Sequence, residues 1–126
     1  MAETPTNGPV RAWYDDREVV VTDPETGGQK GMKQAQLGAI DPEALYTLAK
    51  VAGLGTSKYS RNNYRRGYAW SLSYDAAQRH MMRFWAGEDI DPESGLPHVA
   101  HAAWHMLALL TFQREHPSFD DRYKEN

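Results

Sequence analysis

Hydrophobic residues follow two different spacings along the chain, and the two spacings predict different elements. The stretch from Arg17 to Thr22 is rich in β-branched valine and is followed by the turn-forming sequence DPETGG. This pattern predicts a short strand that returns through Gln29 to Lys33 as a small hairpin. From Asp41 onward the apolar residues recur every three to four positions, which is the spacing of amphipathic helices.

Helices are predicted over about residues 41–55, 71–86 and 96–115. Asp41 followed by Pro42 is typical of a helix start, and Ser94 is predicted to cap the third helix. The third helix is apolar on nearly all sides, which is typical of a helix at the centre of a bundle. One thin bundle cannot cover so much apolar surface, so a homodimer or homotetramer formed through helix packing is also predicted.

Length and charge narrow the class of protein. The 126 residues suit an all-α helical bundle of three to four main helices with a small N-terminal β-hairpin. We expect a flexible lead over residues 1–16, a single domain over residues 17–116, and a polar, frayed tail over residues 117–126. A net charge of −3 argues against binding to nucleic acid polymers, and the chain has no cysteine. No membrane span or signal peptide is recognised in the sequence, so a cytoplasmic location is expected.

Four of the five histidines lie between residues 79 and 110. On a helix His98, His101 and His105 share one narrow stripe, and His80 flanks the apolar stripe of the second helix. Imidazoles at positions i and i+3 of a helix can bind one divalent metal ion. The alternative is that these imidazoles form hydrogen bonds with carboxylates or carbonyl groups inside the bundle.

The turn between the second and third helices is acidic. Within six positions it contains Glu88, Asp89, Asp91 and Glu93. In one interpretation Asp91 to Ser94 cap the third helix and the other acids are solvated. In the other, Glu88 or Asp89 binds Mg²⁺ or Mn²⁺ or acts as a general base on a water molecule.

A polar loop before the second helix alternates cations with aromatic rings. The residues expected to bind a nucleotide here are Lys58, Tyr59, Asn63, Tyr64, Arg65, Arg66 and Trp70. Cationic side chains bind phosphate, and aromatic faces stack on a base. A solvated basic loop without a ligand is the alternative. Neither the P-loop pattern nor G-x-G-x-x-G is present in the sequence, so any nucleotide must be held differently.

Several of these motifs occur together in a known family. They are Lys58-Tyr59, Asn63-Tyr64 with Arg66-Gly67, Arg79-His80, and the segment GEDIDPESGLPHVAHAAWH. With them, about residues 30 to 115 resemble the phage-encoded dATP/dGTP diphosphohydrolase N-terminal domain family. The resemblance implies an all-α fold of the MazG-like nucleotide pyrophosphohydrolase class and a location in an infected bacterial host. Members of that class assemble through helical interfaces and use Mg²⁺ to cleave nucleoside triphosphates to monophosphate and pyrophosphate.

The metal ligands differ from those of the wider superfamily, which uses an E-x-x-E helix followed by an E-x-x-D helix. In this chain the residues from Glu88 to Asp91 fit E-x-x-D only within a turn. His98 and His101 stand where a carboxylate pair is expected. Imidazole ligands shift the preference of the site from Mg²⁺ toward Mn²⁺, Fe²⁺ or Zn²⁺. The alternative is that the site binds no metal.

Two functional hypotheses follow. The first is a metal-dependent enzyme that converts purine deoxynucleoside triphosphates to monophosphates and pyrophosphate, with Mg²⁺ or Mn²⁺ as cofactor. The ion would be held by Glu88, Asp89, His98 and His101. The catalytic residues would be Glu88, Asp89 and His80, and His80 would orient a ligand or shuttle a proton. The second hypothesis is a non-catalytic phage protein that sequesters a nucleotide or a nucleotide-derived host immune signal.

Overall fold

The structure is a computed structural model that describes residues 16–125. The chain divides into two compact units, with the boundary between Ile40 and Asp41. This boundary falls inside the span of residues 17–116 for which one domain is predicted. Except for Asp16, the predicted flexible lead lies outside the described residues.

The first unit contains the predicted hairpin. Strand β1 (Glu18–Thr22) pairs antiparallel with strand β2 (Gln29–Lys33). In the turn, the Asp23 carboxylate accepts hydrogen bonds from the backbone N–H groups of Glu25 at 2.8 Å and Thr26 at 2.9 Å. The valine-rich spacing and the turn sequence therefore predict this element correctly.

The second unit is a bundle of three helices, as predicted. They are α1 (Pro42–Gly55), α2 (Trp70–Trp85) and α3 (His98–Glu115). Both α1 and α2 pack against α3, so the most apolar helix occupies the middle of the bundle. A core of Trp70, Ala108 and Phe112 joins α2 to α3. No helix within residues 16–125 is long and apolar enough to cross a membrane.

The ends of two helices test the predicted caps. The Asp41 side chain accepts a hydrogen bond from the Glu43 N–H at 3.2 Å, which confirms Asp41 as the cap of α1. The prediction for Ser94 is wrong, because α3 begins at His98 behind Pro97 without a side-chain cap. The Ser94 hydroxyl instead donates to the Asp91 carboxylate in the preceding turn at 3.2 Å, and it lies 2.7 Å from Nε2 of His101 on α3.

The predicted fraying of the C-terminal tail is also wrong for residues 117–122. The Asp121 carboxylate accepts hydrogen bonds from the backbone N–H and hydroxyl of Ser71, at the start of α2. The Arg122 guanidinium lies over the Trp70 ring, 4.9 Å from its centre. His116 is half-buried and forms a 2.6 Å hydrogen bond to the Arg65 carbonyl. Asp121 therefore supplies an acceptor for a first-turn N–H of α2, which has no side-chain N-cap of its own.

Candidate functional site

The acidic turn between α2 and α3 is a closed, hydrogen-bonded loop. Asp91 donates its N–H to the Leu96 carbonyl at 2.9 Å and accepts from the Gly95 N–H at 2.7 Å. Gly95 has a φ of 75°, a backbone conformation that favours glycine. The closure turns the Asp91 side chain inward, so Asp91 is only 4 % exposed.

The inward carboxylate meets two imidazoles. Ligand atoms of His80 from α2, Asp91 from the turn and His101 from α3 all lie within 4.8 Å of one another. The rings of His80 and His101 stack with their centres 4.5 Å apart and their planes 6° from parallel. Two imidazoles and a carboxylate form a donor set that suits a divalent transition metal ion. We call these three residues the histidine–aspartate cluster.

Burial lowers the pKa of both imidazoles of the cluster and so favours their neutral forms. Burial lowers the pKa of His80, and the neighbouring His101 lowers it further. Burial also lowers the pKa of His101. Burial raises the pKa of Asp91, but hydrogen bonds from the Glu93 N–H and the Ser94 hydroxyl outweigh it, so the net shift is downward. Neutral imidazoles beside an ionised carboxylate are the protonation states that bind a metal ion.

A hydrogen-bonded chain lies behind His80. The His98 side chain is fully buried, its Nε2 lies 2.7 Å from the Glu88 carboxylate, and its Nδ1 lies 2.9 Å from Nδ1 of His80. Arg83 contacts the same Glu88 oxygen at 2.7 Å. The hydrogen bonds from His98 and Arg83 lower the pKa of Glu88, so it is a carboxylate that only accepts.

These hydrogen bonds couple the tautomers of His98 and His80. Because Glu88 accepts, His98 donates from Nε2, and when each ring carries one proton the Nδ1 of His98 accepts. His80 therefore donates from its own Nδ1, which leaves the lone pair of its Nε2 free for a ligand. Such a chain behind a histidine is typical of metal sites.

Only some of the sequence-predicted metal and catalytic residues lie in the histidine–aspartate cluster. His80 and His101 are in the cluster. His98 and Glu88 lie one contact behind it, and both ring nitrogens of His98 already have protein partners. Asp89 is exposed, and its backbone carbonyl accepts from the His98 N–H at 3.0 Å. The sequence-based prediction does not include Asp91 among the metal ligands. An Asp carboxylate often accepts from the backbone N–H two residues on, as Asp91 does from Glu93 at 3.2 Å, but this local pattern predicts a turn and not the side to which the carboxylate faces.

One member of the cluster, His101, lines a cavity of about 920 Å³ that is also lined by the predicted nucleotide-binding loop. The cavity lies between α1, the loop and α3, and its lining includes His101 together with Lys58, Tyr59, Asn63 and Tyr64. Three further predicted residues do not line it. Arg65 and Arg66 are exposed, while Trp70 is buried in the core and donates from its indole nitrogen to the His116 carbonyl at 3.1 Å. The volume is typical of small-molecule sites.

Comparisons with known proteins identify the family of the chain. The family model described as dATP/dGTP diphosphohydrolase, N-terminal, matches residues 24–122. A protein of Salmonella phage PMBT28 named dATP/dGTP diphosphohydrolase is 34% identical over 97 residues, which cover 77% of this chain and 33% of that protein. The chain thus spans about a third of the length of this curated relative. No solved structure matches. The matched span contains all three helices, the loop and the cluster, and the chain belongs to the dATP/dGTP diphosphohydrolase N-terminal domain family.

Proposed function

We propose that this chain is a metal-dependent nucleotide diphosphohydrolase that acts on purine deoxynucleoside triphosphates. Water attacks the α-phosphorus, and the bond between this phosphorus and the oxygen that bridges it to the β-phosphorus breaks. The products are the monophosphate and pyrophosphate. The observation that carries the proposal is the histidine–aspartate cluster at one side of a cavity lined with cations and aromatic rings. The name of the phage relative supports the substrate class.

In this proposal His80, Asp91 and His101 hold one divalent ion. When bound, such an ion polarises phosphate oxygens and lowers the pKa of water. Mg²⁺ prefers oxygen ligands, whereas two imidazoles and a carboxylate favour Mn²⁺, Fe²⁺, Co²⁺ or Zn²⁺. We therefore expect Mn²⁺ or a softer ion to be bound more tightly than Mg²⁺.

Residues of the cavity wall would bind and orient the nucleotide. Lys58 and Arg61 offer positive charge to the phosphates. Tyr59 and Tyr64 offer ring faces to the base, and Tyr64 is itself braced by an edge contact with Trp104, with ring centres 5.2 Å apart. Holding the phosphates between these cations and the cluster would align the α-phosphorus for in-line attack.

The proposal is tested by product analysis. The purified protein is incubated with each of the four deoxynucleoside triphosphates, with Mn²⁺, Mg²⁺, Zn²⁺ or EDTA, and both free and denaturation-released nucleotides are separated by chromatography. We expect monophosphate and pyrophosphate from dATP and dGTP only when metal is present. Recovery of every nucleotide intact after denaturation would contradict hydrolysis and favour the sequestering protein.

We also propose that the protein forms an oligomer through exposed apolar side chains of α2 and α3. Large apolar side chains are left exposed there in the single chain, with Met82 70%, Trp85 84% and Leu110 60% exposed. Exposed apolar patches on helices commonly mark subunit interfaces. Light scattering after size exclusion should give a dimer or tetramer, and Trp85→Glu should lower that mass. A monomeric wild-type protein would contradict this part of the proposal.

A further inference from the structure

The cavity is also lined by a histidine that belongs neither to the histidine–aspartate cluster nor to the predicted nucleotide-binding loop. His105 lines the cavity, and its Nδ1 lies 2.9 Å from the hydroxyl of Ser73 on α2. Ser73 is 0% exposed, and its hydroxyl lies 2.7 Å from the hydroxyl of Tyr68. The Ser73 hydroxyl thus holds Nδ1 of the imidazole, the Tyr68 hydroxyl holds Ser73 in turn, and Nε2 is the ring nitrogen left for a ligand.

The direction of these hydrogen bonds determines what Nε2 can offer. The Tyr68 hydroxyl lies 2.7 Å from the Ser73 hydroxyl, and because a phenol is a stronger acid than an aliphatic alcohol, the favoured donor is Tyr68. The single Ser73 proton is then directed to Nδ1 of His105. Burial lowers the pKa of His105 to about 4, so near neutral pH its one proton is on Nε2. The ring therefore presents an uncharged N–H donor.

The surroundings of His105 suit a base better than a phosphate. Trp104 meets the His105 ring edge-on with centres 5.0 Å apart, and Trp104 and Tyr64 both line the same cavity. An uncharged donor contributes little to neutralising phosphate charge, but it can pair with a neutral acceptor between aromatic walls. His105 also lies one helical turn beyond His101, which places it away from the metal-binding end of the cavity.

We propose that His105 is a specificity-determining residue whose Nε2–H donates a hydrogen bond to a ring nitrogen of a purine base. The inference rests on the proposed function, because it concerns the nucleotide bound in that cavity. Adenine and guanine carry a donor and an acceptor, respectively, at position 6, but both present the acceptors N7 and N3. A single fixed donor can therefore serve both purines only through one of these nitrogens.

Purine analogues that lack one acceptor test this contact. The 7-deaza and 3-deaza forms of dATP are compared with dATP on the wild-type protein and on His105→Phe, which keeps a planar ring without the donor. Losing one neutral hydrogen bond corresponds to about a threefold to tenfold loss. We expect one analogue to raise KM by that factor in the wild type, with kcat little changed, and to have no further effect in His105→Phe.

The contact is overturned if the wild type does not distinguish either analogue from dATP, or if His105→Phe distinguishes them as well as the wild type does. His105→Gln, which keeps an N–H donor, should recover part of the preference. Tyr68→Phe leaves His105 in place but removes the hydroxyl that directs the chain, and it should weaken the preference partially. The comparison of analogues on the wild type alone decides the question if a variant fails to fold.

Equilibrium binding separates failure of this inference from failure of the proposed function. Without turnover of any nucleotide, the proposed hydrolysis is wrong, but calorimetric titration with dATP and the two deaza analogues still measures the contact. With turnover and no effect of either analogue, hydrolysis stands and the role of His105 is wrong.

Discussion

Removing the Glu88 side chain tests whether the hydrogen bonds that run from Glu88 through His98 orient His80 to bind a metal ion. Glu88→Ala deletes the acceptor that lies 2.7 Å from Nε2 of His98. His98 then has no carboxylate to fix its proton on Nε2, and it can place the proton on Nδ1, facing His80. His80 loses the acceptor that keeps its own proton away from the metal-binding nitrogen. We expect weaker metal binding with the fold retained.

The size of the effect follows from burial. Loss of a partner behind a metal-binding histidine costs about 10- to 100-fold in metal affinity, or about 1.4 to 2.7 kcal/mol. The Glu88 side chain is 43% exposed, so water can partly replace its oxygen, and we expect a loss near the lower end, about tenfold. Glu88→Gln should lose less, because the amide oxygen still accepts from His98.

The assay is calorimetric titration of the EDTA-stripped protein with Mn²⁺ and Zn²⁺. The matched control is Glu93→Ala, which removes the same charge from an exposed position in the same turn. Equal metal affinities in Glu88→Ala and Glu93→Ala would refute the role assigned to the hydrogen-bonded chain. A loss in Glu88→Ala that Glu88→Gln largely restores would support it.

Three further predictions concern the cluster, the pH dependence of stability through His105, and the tail. Asp91→Asn should abolish tight metal binding, whereas Asp89→Asn, the same change at an exposed position, should leave it intact; calorimetry with Mn²⁺ compares them, and the opposite order would support the sequence-based ligand set. Burial lowers the pKa of His105 from about 6.5 in the unfolded chain to about 4 in the folded protein, so the stability it contributes is lost as the pH falls through this range. Urea unfolding between these pH values should show a smaller loss of stability in His105→Gln than in the wild type. An equal loss in the two proteins would contradict this prediction. Asp121→Ala removes the acceptor for the Ser71 N–H and should lower the urea concentration at the unfolding midpoint, and an unchanged midpoint would show that the tail contact contributes nothing.

Most of the fold could be predicted from the sequence because it depends on local spacing. The valine-rich strand, the turn after it and the three-to-four-residue spacing of apolar positions each determine their element within a short window. The Asp41-Pro42 start of α1 is local in the same way. The docking of the tail could not be predicted, because the Asp121 contact with Ser71 joins residues fifty positions apart, and neither residue is apolar.

The candidate site could be predicted only in part, for the same physical reason. The spacing on α3 indicates correctly that His98 and His101 lie near one another, and the loop motifs indicate the wall of the cavity. Which acid joins the histidines depends on how the turn closes through the Leu96 carbonyl, and composition does not contain that information. The sequence alone therefore predicts Asp91 only as part of a helix cap. His98 has the sequence of a ligand, but its neighbours Glu88 and His80 occupy both of its nitrogens.

The central claim is that one divalent ion in the histidine–aspartate cluster is required for nucleotide hydrolysis. The most direct test is to add Mn²⁺ stepwise to EDTA-stripped protein and to measure pyrophosphate release from dATP or dGTP at each step. We predict no release without metal and a rise that saturates at one ion per chain in the wild type, with no such rise in Asp91→Asn. Equal release in the stripped protein, or an unchanged Mn²⁺ dependence in Asp91→Asn, would contradict the claim.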